Sequence, residues 1–168
     1  MKRFFLLAIF FSITSIPIFF WGNLYFVGGD DSKLYYLFPY EYFQNFTLQL
    51  ISNNVLGSLG FYFSQAYISG FSIFVYAVKS LLPFLNTQLL LFGLNLSFGF
   101  LFFYLFLGLF FPKDRQSFVI KLAASLLYIF STFSIYTLWQ SQLFALYLVS
   151  IFPFSFYMFV AGFMRKSP

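Results

Sequence analysis

The sequence predicts an all-α protein, a polytopic bundle of transmembrane helices with a long external first loop that carries interfacial helices. Of its 168 residues, 61% are hydrophobic and only 8% are charged, too few to cover one water-soluble core. The mean hydropathy is +0.87. Several apolar runs reach the roughly 20 residues that a helix needs to cross a bilayer. In lipid such runs form helices or barrel strands, and their continuous apolar character fits helices.

Four spans are predicted within a single membrane domain of residues 1–168. They lie at about residues 4–26, 85–111, 118–138 and 143–164. Lys2 and Arg3 precede the first span. A cleaved signal peptide is the alternative interpretation of this basic start and apolar run. The absence of a convincing Ala-x-Ala cleavage site favours the span.

The second span carries short-range signals for its start and its packing. Asn86 or Thr87 is expected to cap its first turn. Gly93 and Ser97 form a small-x-x-x-small pair, a pattern that permits close approach of another helix, and Asn95 is expected to hydrogen-bond across that contact.

The segment from about Tyr67 to Leu82 decides the topology, because it fits a short span, a re-entrant piece or a surface helix. If it does not cross, four spans place seven cations and both termini in the cytoplasm. Those cations are Lys2, Arg3, Lys113, Arg115, Lys121, Arg165 and Lys166. The four-span topology in the plasma membrane is therefore preferred, with residues 27–84 as an external loop. Because the cations flank apolar spans, the net charge of +5 is not attributed to nucleic-acid binding.

The absence of His and Cys limits the available chemistry. It excludes imidazole bases, thiol nucleophiles, disulfides and Cys/His zinc sites, and leaves carboxylates as the best acid–base groups. Three of the four acidic residues lie in the external loop: Asp30, Asp31 and Glu41. Adjacent carboxylates near an apolar boundary resist simultaneous ionisation unless a cation compensates. Asp30 and Asp31 are therefore candidate general bases or ligands of Mg²⁺ or Mn²⁺.

Two further residues of the loop are candidates for binding substrate. Lys33 is a possible phosphate contact, and Glu41 lies in an aromatic run suited to the headgroup level. The alternative is structural, since Gly-Gly-Asp-Asp-Ser also fits a turn in which Asp caps a helix beginning near Lys33. By motif alone, capping is the stronger interpretation. Pro39 is expected to open a short surface helix.

The order of these features resembles the amino-terminal part of the GT-C superfamily of membrane glycosyltransferases. The stretch Gly29-Asp30-Asp31-Ser32-Lys33-Leu34-Tyr35-Tyr36-Leu37-Phe38-Pro39 is similar to the acidic and Tyr-x-x-Pro segment of several branches. The resemblance implies transfer of a sugar from a polyprenyl-phosphate carrier to an acceptor on the outer face. It implies Asp30 or Asp31 as catalytic base, Lys33 at the phosphate and, in some members, a divalent metal. GT-C enzymes generally have more than four spans, so a fragment or a reduced relative is expected.

A non-enzymatic function is the alternative. The chain would then be a membrane subunit or a transporter or flippase component for lipid-linked glycans. An ion-coupled transporter places ionisable groups inside its spans, and the sequence predicts none well inside the four. The expected partners are membrane lipid, a polyprenyl-phosphate sugar and other membrane subunits, with no nucleic acid.

Overall fold

The computed structural model describes residues 2–22, 24–25, 34–41, 66–139 and 143–166. The chain divides into two compact units. The bundle unit comprises Met1–Trp21 and Leu90–Pro168, and the loop unit comprises Gly22–Leu89. Every regular element in the described ranges is a helix, which confirms the all-α fold class.

The described helices are α1 (Lys2–Trp21), α2 (Leu34–Leu37), α3 (Ala66–Leu81), α4 (Thr87–Leu107), α5 (Arg115–Ile129), α6 (Thr132–Trp139) and α7 (Leu143–Lys166). Four stretches are long and apolar enough to cross a membrane: Phe4–Trp21, Thr87–Leu107, Arg115–Tyr136 and Tyr147–Met164. Their number agrees with the four predicted spans, and the chain is an integral membrane protein. The apolar part of α3, Ser72–Leu81, is shorter than a span.

The ends of two spans are set by local chemistry. α1 ends at Trp21, five residues before the predicted limit, because Gly22 adopts a left-handed φ of 57° that terminates a helix. α4 begins at Thr87, and the Leu89 N–H donates to Asn86 Oδ1 at 3.2 Å. Asn86 is therefore the N-cap, as one of the two predicted alternatives requires.

The third span is interrupted, whereas the sequence predicts one continuous helix over residues 118–138. α5 ends at Ile129 and α6 begins at Thr132. Between them, Ser131 Oγ lies 3.2 Å from Ser134 Oγ, and Ser134 Oγ donates to the Tyr128 carbonyl oxygen at 3.3 Å. Serine hydroxyls thus replace part of the helical hydrogen bonding at the break.

Asp114, directly before Arg115, is the N-cap of α5. Its backbone is extended, and its carboxylate accepts a hydrogen bond from the Ser117 N–H at 2.6 Å. A carboxylate at this position also interacts favourably with the positive end of the helix dipole. This bond joins the α4–α5 turn to the first turn of the third span.

Replacing Asp114 by Ala is expected to lower the free energy of unfolding by about 1 kcal/mol, because the N–H groups of the first turn lose their acceptor. The measurement is the midpoint of unfolding in mixed micelles as the mole fraction of SDS rises. Asp114→Asn keeps an acceptor and is expected to retain most of the stability. Lys113→Ala, at an exposed neighbour, is the control, and an Asp114→Ala midpoint equal to that of Lys113→Ala would contradict the cap.

α4 packs against α1 through small side chains. Gly93 lies directly against the backbone of Thr14, which leaves no room for a Cβ atom. Near it, Ser97 Oγ and Thr14 Oγ1 share a hydrogen bond of 2.7 Å, and Ser97 Oγ also donates to the Phe10 carbonyl oxygen at 2.8 Å. The predicted close approach at the small-x-x-x-small pair is confirmed. This contact joins α1 to α4 within the bundle unit.

α4 makes a second close contact, with α7. A Cβ atom on Gly99 would lie 2.8 Å from the Val149 carbonyl oxygen. Ser150 Oγ donates to Asn95 Oδ1 at 3.0 Å. Asn95 therefore bonds between helices as predicted, but its partner helix is α7 and not the helix that meets Gly93.

The helix directions bring basic segments to one end of the bundle unit. α1 runs antiparallel to α4, because Phe10 packs against Phe98 while the next turn of α1 meets the preceding turn of α4. α7 runs parallel to α4, because the contact at Asn95 is followed by the contact between Phe106 and Phe156. The start of α1, the α4–α5 turn and the end of α7 therefore share one end, called the basic end. Its segments carry Lys2, Arg3, Lys113, Arg115, Lys121, Arg165 and Lys166.

Candidate functional site: a tyrosine cleft in the loop unit

A small cleft forms in the loop unit where residues 37–41 meet α3. From α3, Tyr76, Lys79 and Ser80 line the cleft, at the i, i+3 and i+4 positions that share one helix face. We call this feature the tyrosine cleft, because the rings of Tyr40 and Tyr76 lie side by side with centroids 5.6 Å apart. Both tyrosines are about half exposed, so the pair offers an accessible aromatic surface.

Lys79 ties the two sides of the cleft together. Its Nζ donates to the Leu37 carbonyl oxygen at 2.9 Å, at the last residue of α2. An ammonium has three N–H groups, so two remain beyond the one that donates to Leu37. The hydroxyl of Ser80 donates to the Tyr76 carbonyl oxygen of its own helix at 2.9 Å.

Glu41 supplies the carboxylate of the cleft. Its side chain is exposed, and it has no ion pair within the part of the chain that the structure describes. The cleft has a volume of about 370 Å³, within the roughly 300–1,000 Å³ of small-molecule sites. Aromatic faces, a carboxylate and an ammonium together suit a polar ligand with an apolar face. A sugar is such a ligand.

The other three predicted site residues, Asp30, Asp31 and Lys33, lie outside the described residues. Their roles as bases, metal ligands or phosphate contacts stay predictions. No group of three or more His, Cys, Asp or Glu side chains that could hold a metal occurs in the described ranges. Residues 39–41 are helical, which agrees with a helix opening at Pro39, but the continuation of that helix also lies outside the described residues.

Tyr40, Tyr76 and Lys79 line the cleft but were not predicted as site residues. The nearest signal in the sequence is that Lys79 is the second cation of the external loop, after Lys33. Its partner at Leu37 is 42 residues away, so no short-range pattern connects them. The spacing of Tyr76 and Lys79 on α3 becomes informative only once α3 is known to be a helix.

The bundle unit contains an aromatic groove of about 420 Å³ between α4, α5, α6 and α7. Its lining includes Phe103 and Tyr128, whose rings stack with centroids 4.5 Å apart, and Phe152, Pro153 and Phe156 from α7. A second apolar hollow of about 490 Å³ continues along α7. In a membrane-spanning unit these hollows have the chemistry of a hydrocarbon-chain site.

Several polar side chains inside the spans have structural roles. The Tyr128 hydroxyl donates to the Val149 carbonyl oxygen at 2.9 Å, and Asn95 Nδ2 donates to the Leu91 carbonyl oxygen at 3.1 Å. Together with the Thr14–Ser97 bond, these contacts join helices or satisfy the helix itself. Helix packing is therefore the role that these contacts support.

Comparison of the chain with known protein families, with curated proteins and with solved structures finds no match in any of the three. Inference about function therefore depends on the residues of the tyrosine cleft, the neighbouring acidic segment and the aromatic groove.

Proposed function

We propose that the chain is the membrane module of a glycosyltransferase that moves a sugar from a polyprenyl-phosphate carrier to an acceptor on the outer face of the plasma membrane. The observation that carries the proposal is the tyrosine cleft. It combines an aromatic pair, a carboxylate and an ammonium within the loop that also contains Asp30 and Asp31. A polyprenyl-phosphate sugar offers a matching set of groups, since it has hydroxyls, an anionic phosphate and a long apolar chain.

The sugar and the phosphate of such a donor find complementary residues in the tyrosine cleft. The exposed rings of Tyr40 and Tyr76 suit the apolar face of a sugar, and Glu41 suits its hydroxyls as an acceptor. Lys79 suits the phosphate through its remaining N–H groups.

The acidic segment supplies the proposed chemistry. Either Asp30 or Asp31, as a carboxylate, accepts the proton of the acceptor hydroxyl while that oxygen attacks the anomeric carbon and the carrier phosphate leaves. Paired carboxylates are also the oxygen donors that Mg²⁺ or Mn²⁺ prefers, and a bound ion would compensate the departing phosphate's charge. Lys33 is a second proposed phosphate contact.

The proposed orientation follows from charge. The basic end of the bundle unit carries seven cations, and under the positive-inside rule that end faces the cytoplasm with both termini. Residues 27–84 follow the first span in the sequence, and we propose on that ground that they are external.

Replacing Tyr76 by Leu is expected to weaken binding of the lipid-linked sugar about tenfold, equal to about 1.4 kcal/mol, because the aromatic face is lost. Binding is measured in nanodiscs with polyprenyl-phosphate glucose and polyprenyl-phosphate mannose, each against the sugar-free polyprenyl phosphate. Tyr136→Leu removes a similarly exposed tyrosine from the bundle unit and is the control. Equal affinities for wild type, Tyr76→Leu and Tyr136→Leu would contradict a sugar site in the tyrosine cleft.

The alternative is a non-catalytic subunit or transport component for lipid-linked glycans. One buried cation bears on it: Lys121 lies within the third span, where the sequence predicts no ionisable group well inside. It follows Arg115, the first residue of that span, by six residues, or about 9 Å of helix. Ion coupling through the membrane requires an ionisable group near the middle of a span. Lys121 is near the end of its span, so it does not meet that requirement. Binding of the donor without any transfer would favour this alternative.

A further inference from the structure

Lys121 is a buried cation that the proposed transfer reaction does not use. It lies in the second turn of α5, on the buried face of that helix with Ser117, Ser125 and Ile129. Only 7% of its surface is exposed, whereas Lys113 and Arg115 on the adjoining turn are exposed. A basic residue that flanks a span is normally solvated, so its burial needs a compensating partner.

The surroundings of the ammonium are aromatic. Its Nζ lies 5.5 Å from the ring centroid of Tyr104, a cation–π contact. The Phe118 ring packs edge-on against the Tyr104 ring, with centroids 6.2 Å apart. The Phe5 ring packs against Phe118 at the same centroid distance. Tyr104 lies in the last turn of α4, so the negative end of that helix dipole compensates part of the charge.

The remaining charge has no carboxylate partner among the residues that the structure describes. Asp114 is the single acidic residue in the sequence of the bundle unit, and its carboxylate accepts from the Ser117 N–H. Within the described ranges, the Lys121 ammonium has neither a hydrogen bond nor an ion pair. A buried charge compensated only by a ring and a helix dipole is electrostatically suited to a bound anion.

We infer that Lys121 and Tyr104 form a binding site for an anionic phosphate group at the basic end of the bundle unit. Lys121 lies less than two helical turns from the first residue of its span, and lipid headgroups are expected at the ends of a span. A phospholipid headgroup is therefore the expected source of the phosphate, and free phosphate is the second source.

The test uses the whole chain in dodecyl maltoside micelles, which contain no phosphate. Phosphatidylglycerol, phosphatidylcholine and sodium phosphate are titrated separately, with bound lipid counted by native mass spectrometry and stability followed by the thermal midpoint. Phosphatidylglycerol is expected to bind at least tenfold more tightly than phosphatidylcholine and to raise the midpoint. Raised stability with sodium phosphate alone would support the phosphate site and assign it to the soluble anion.

Two variants separate this site from general surface charge. Lys121→Met removes the buried ammonium at similar length and is expected to lose the tenfold preference, whereas Lys113→Met removes an exposed lysine of the same region and is expected to keep it. Lys121→Arg retains the charge and is expected to keep the preference. An unchanged preference in Lys121→Met, or equal loss in Lys121→Met and Lys113→Met, would overturn the site.

If Lys121→Met fails to insert, a measurement on the wild-type protein tests whether phosphate binds at Lys121. Solid-state NMR detects dipolar coupling between the phosphorus of phosphatidylglycerol and the ¹⁵Nζ of Lys121. The Lys121 signal is identified by its absence from Lys121→Arg. Coupling at this signal supports the site, and coupling confined to the other lysines overturns it.

Discussion

Sugar transfer is expected to fall by about 10²- to 10⁴-fold when Asp30 and Asp31 are both replaced by Asn, the range associated with loss of a general base. Asn keeps the size and the turn-forming ability of Asp but cannot accept a proton. The measurement is transfer of radiolabelled sugar from the polyprenyl-phosphate carrier in membranes that contain the full gene product. The single variants identify which carboxylate acts as the base.

The control for this double variant is Asp114→Asn. It removes the fourth acidic residue, which lies outside the loop, and Asn still caps α5. Transfer and membrane insertion are expected to remain at wild-type levels. Unchanged transfer in the Asp30→Asn, Asp31→Asn protein, with normal insertion, would refute the proposed catalytic role and leave capping as the function of the pair.

Gly93→Leu is expected to destabilise the bundle unit by roughly 3 kcal/mol. The new side chain meets the Thr14 backbone, which cannot move aside as the end of a flexible side chain can. The helices are forced apart, and the hydrogen bond between Thr14 and Ser97 is lost with the contact. Unfolding by SDS in mixed micelles measures the loss.

Gly162→Leu is the matched control for this substitution. Gly162 lies in α7, and no atom lies near the position that a Cβ atom would occupy there, so the same side chain meets open space. Both substitutions remove a helical glycine and therefore gain similar helix propensity. The difference between the two variants isolates the helix contact, and equal stability of both would show that the contact at Thr14 does not hold the bundle together.

Short-range patterns predicted the parts of the fold that depend on neighbouring residues. Asn86 is found at the start of α4 because a cap needs only an acceptor three residues before an N–H. Gly93 and Ser97 were recognisable because residues four apart share a helix face. The spans themselves follow from apolar length, and the structure has the same number of helical stretches that are long and apolar enough to cross a membrane.

Features that depend on distant residues could not be predicted in this way. The break after Ile129 depends on hydroxyls of Ser131 and Ser134 that compete with the backbone, and hydropathy does not register that competition. Lys121 looks like an ordinary flanking cation until Tyr104, seventeen residues earlier, is placed against it. The same contrast applies to the candidate site. Glu41 was predicted from the sequence and lines the tyrosine cleft, whereas Lys79 could be recognised only from the folded structure.

The hydroxyls of α1 bear on the order in which the protein assembles. Thr14 and Ser97 are 83 residues apart, so at about 5–20 residues per second α1 precedes its partner by several seconds of synthesis. During that delay the hydroxyls of α1 can form their hydrogen bonds without a second helix. Ser12 and Ser15 donate to the carbonyl oxygens four residues earlier at 2.9 and 2.8 Å, and Thr14 Oγ1, 3.0 Å from the Phe10 carbonyl oxygen, can donate to it when Ser97 is absent. α1 is thus equipped to remain alone in lipid and to exchange part of this bonding for Ser97 once α4 has been inserted.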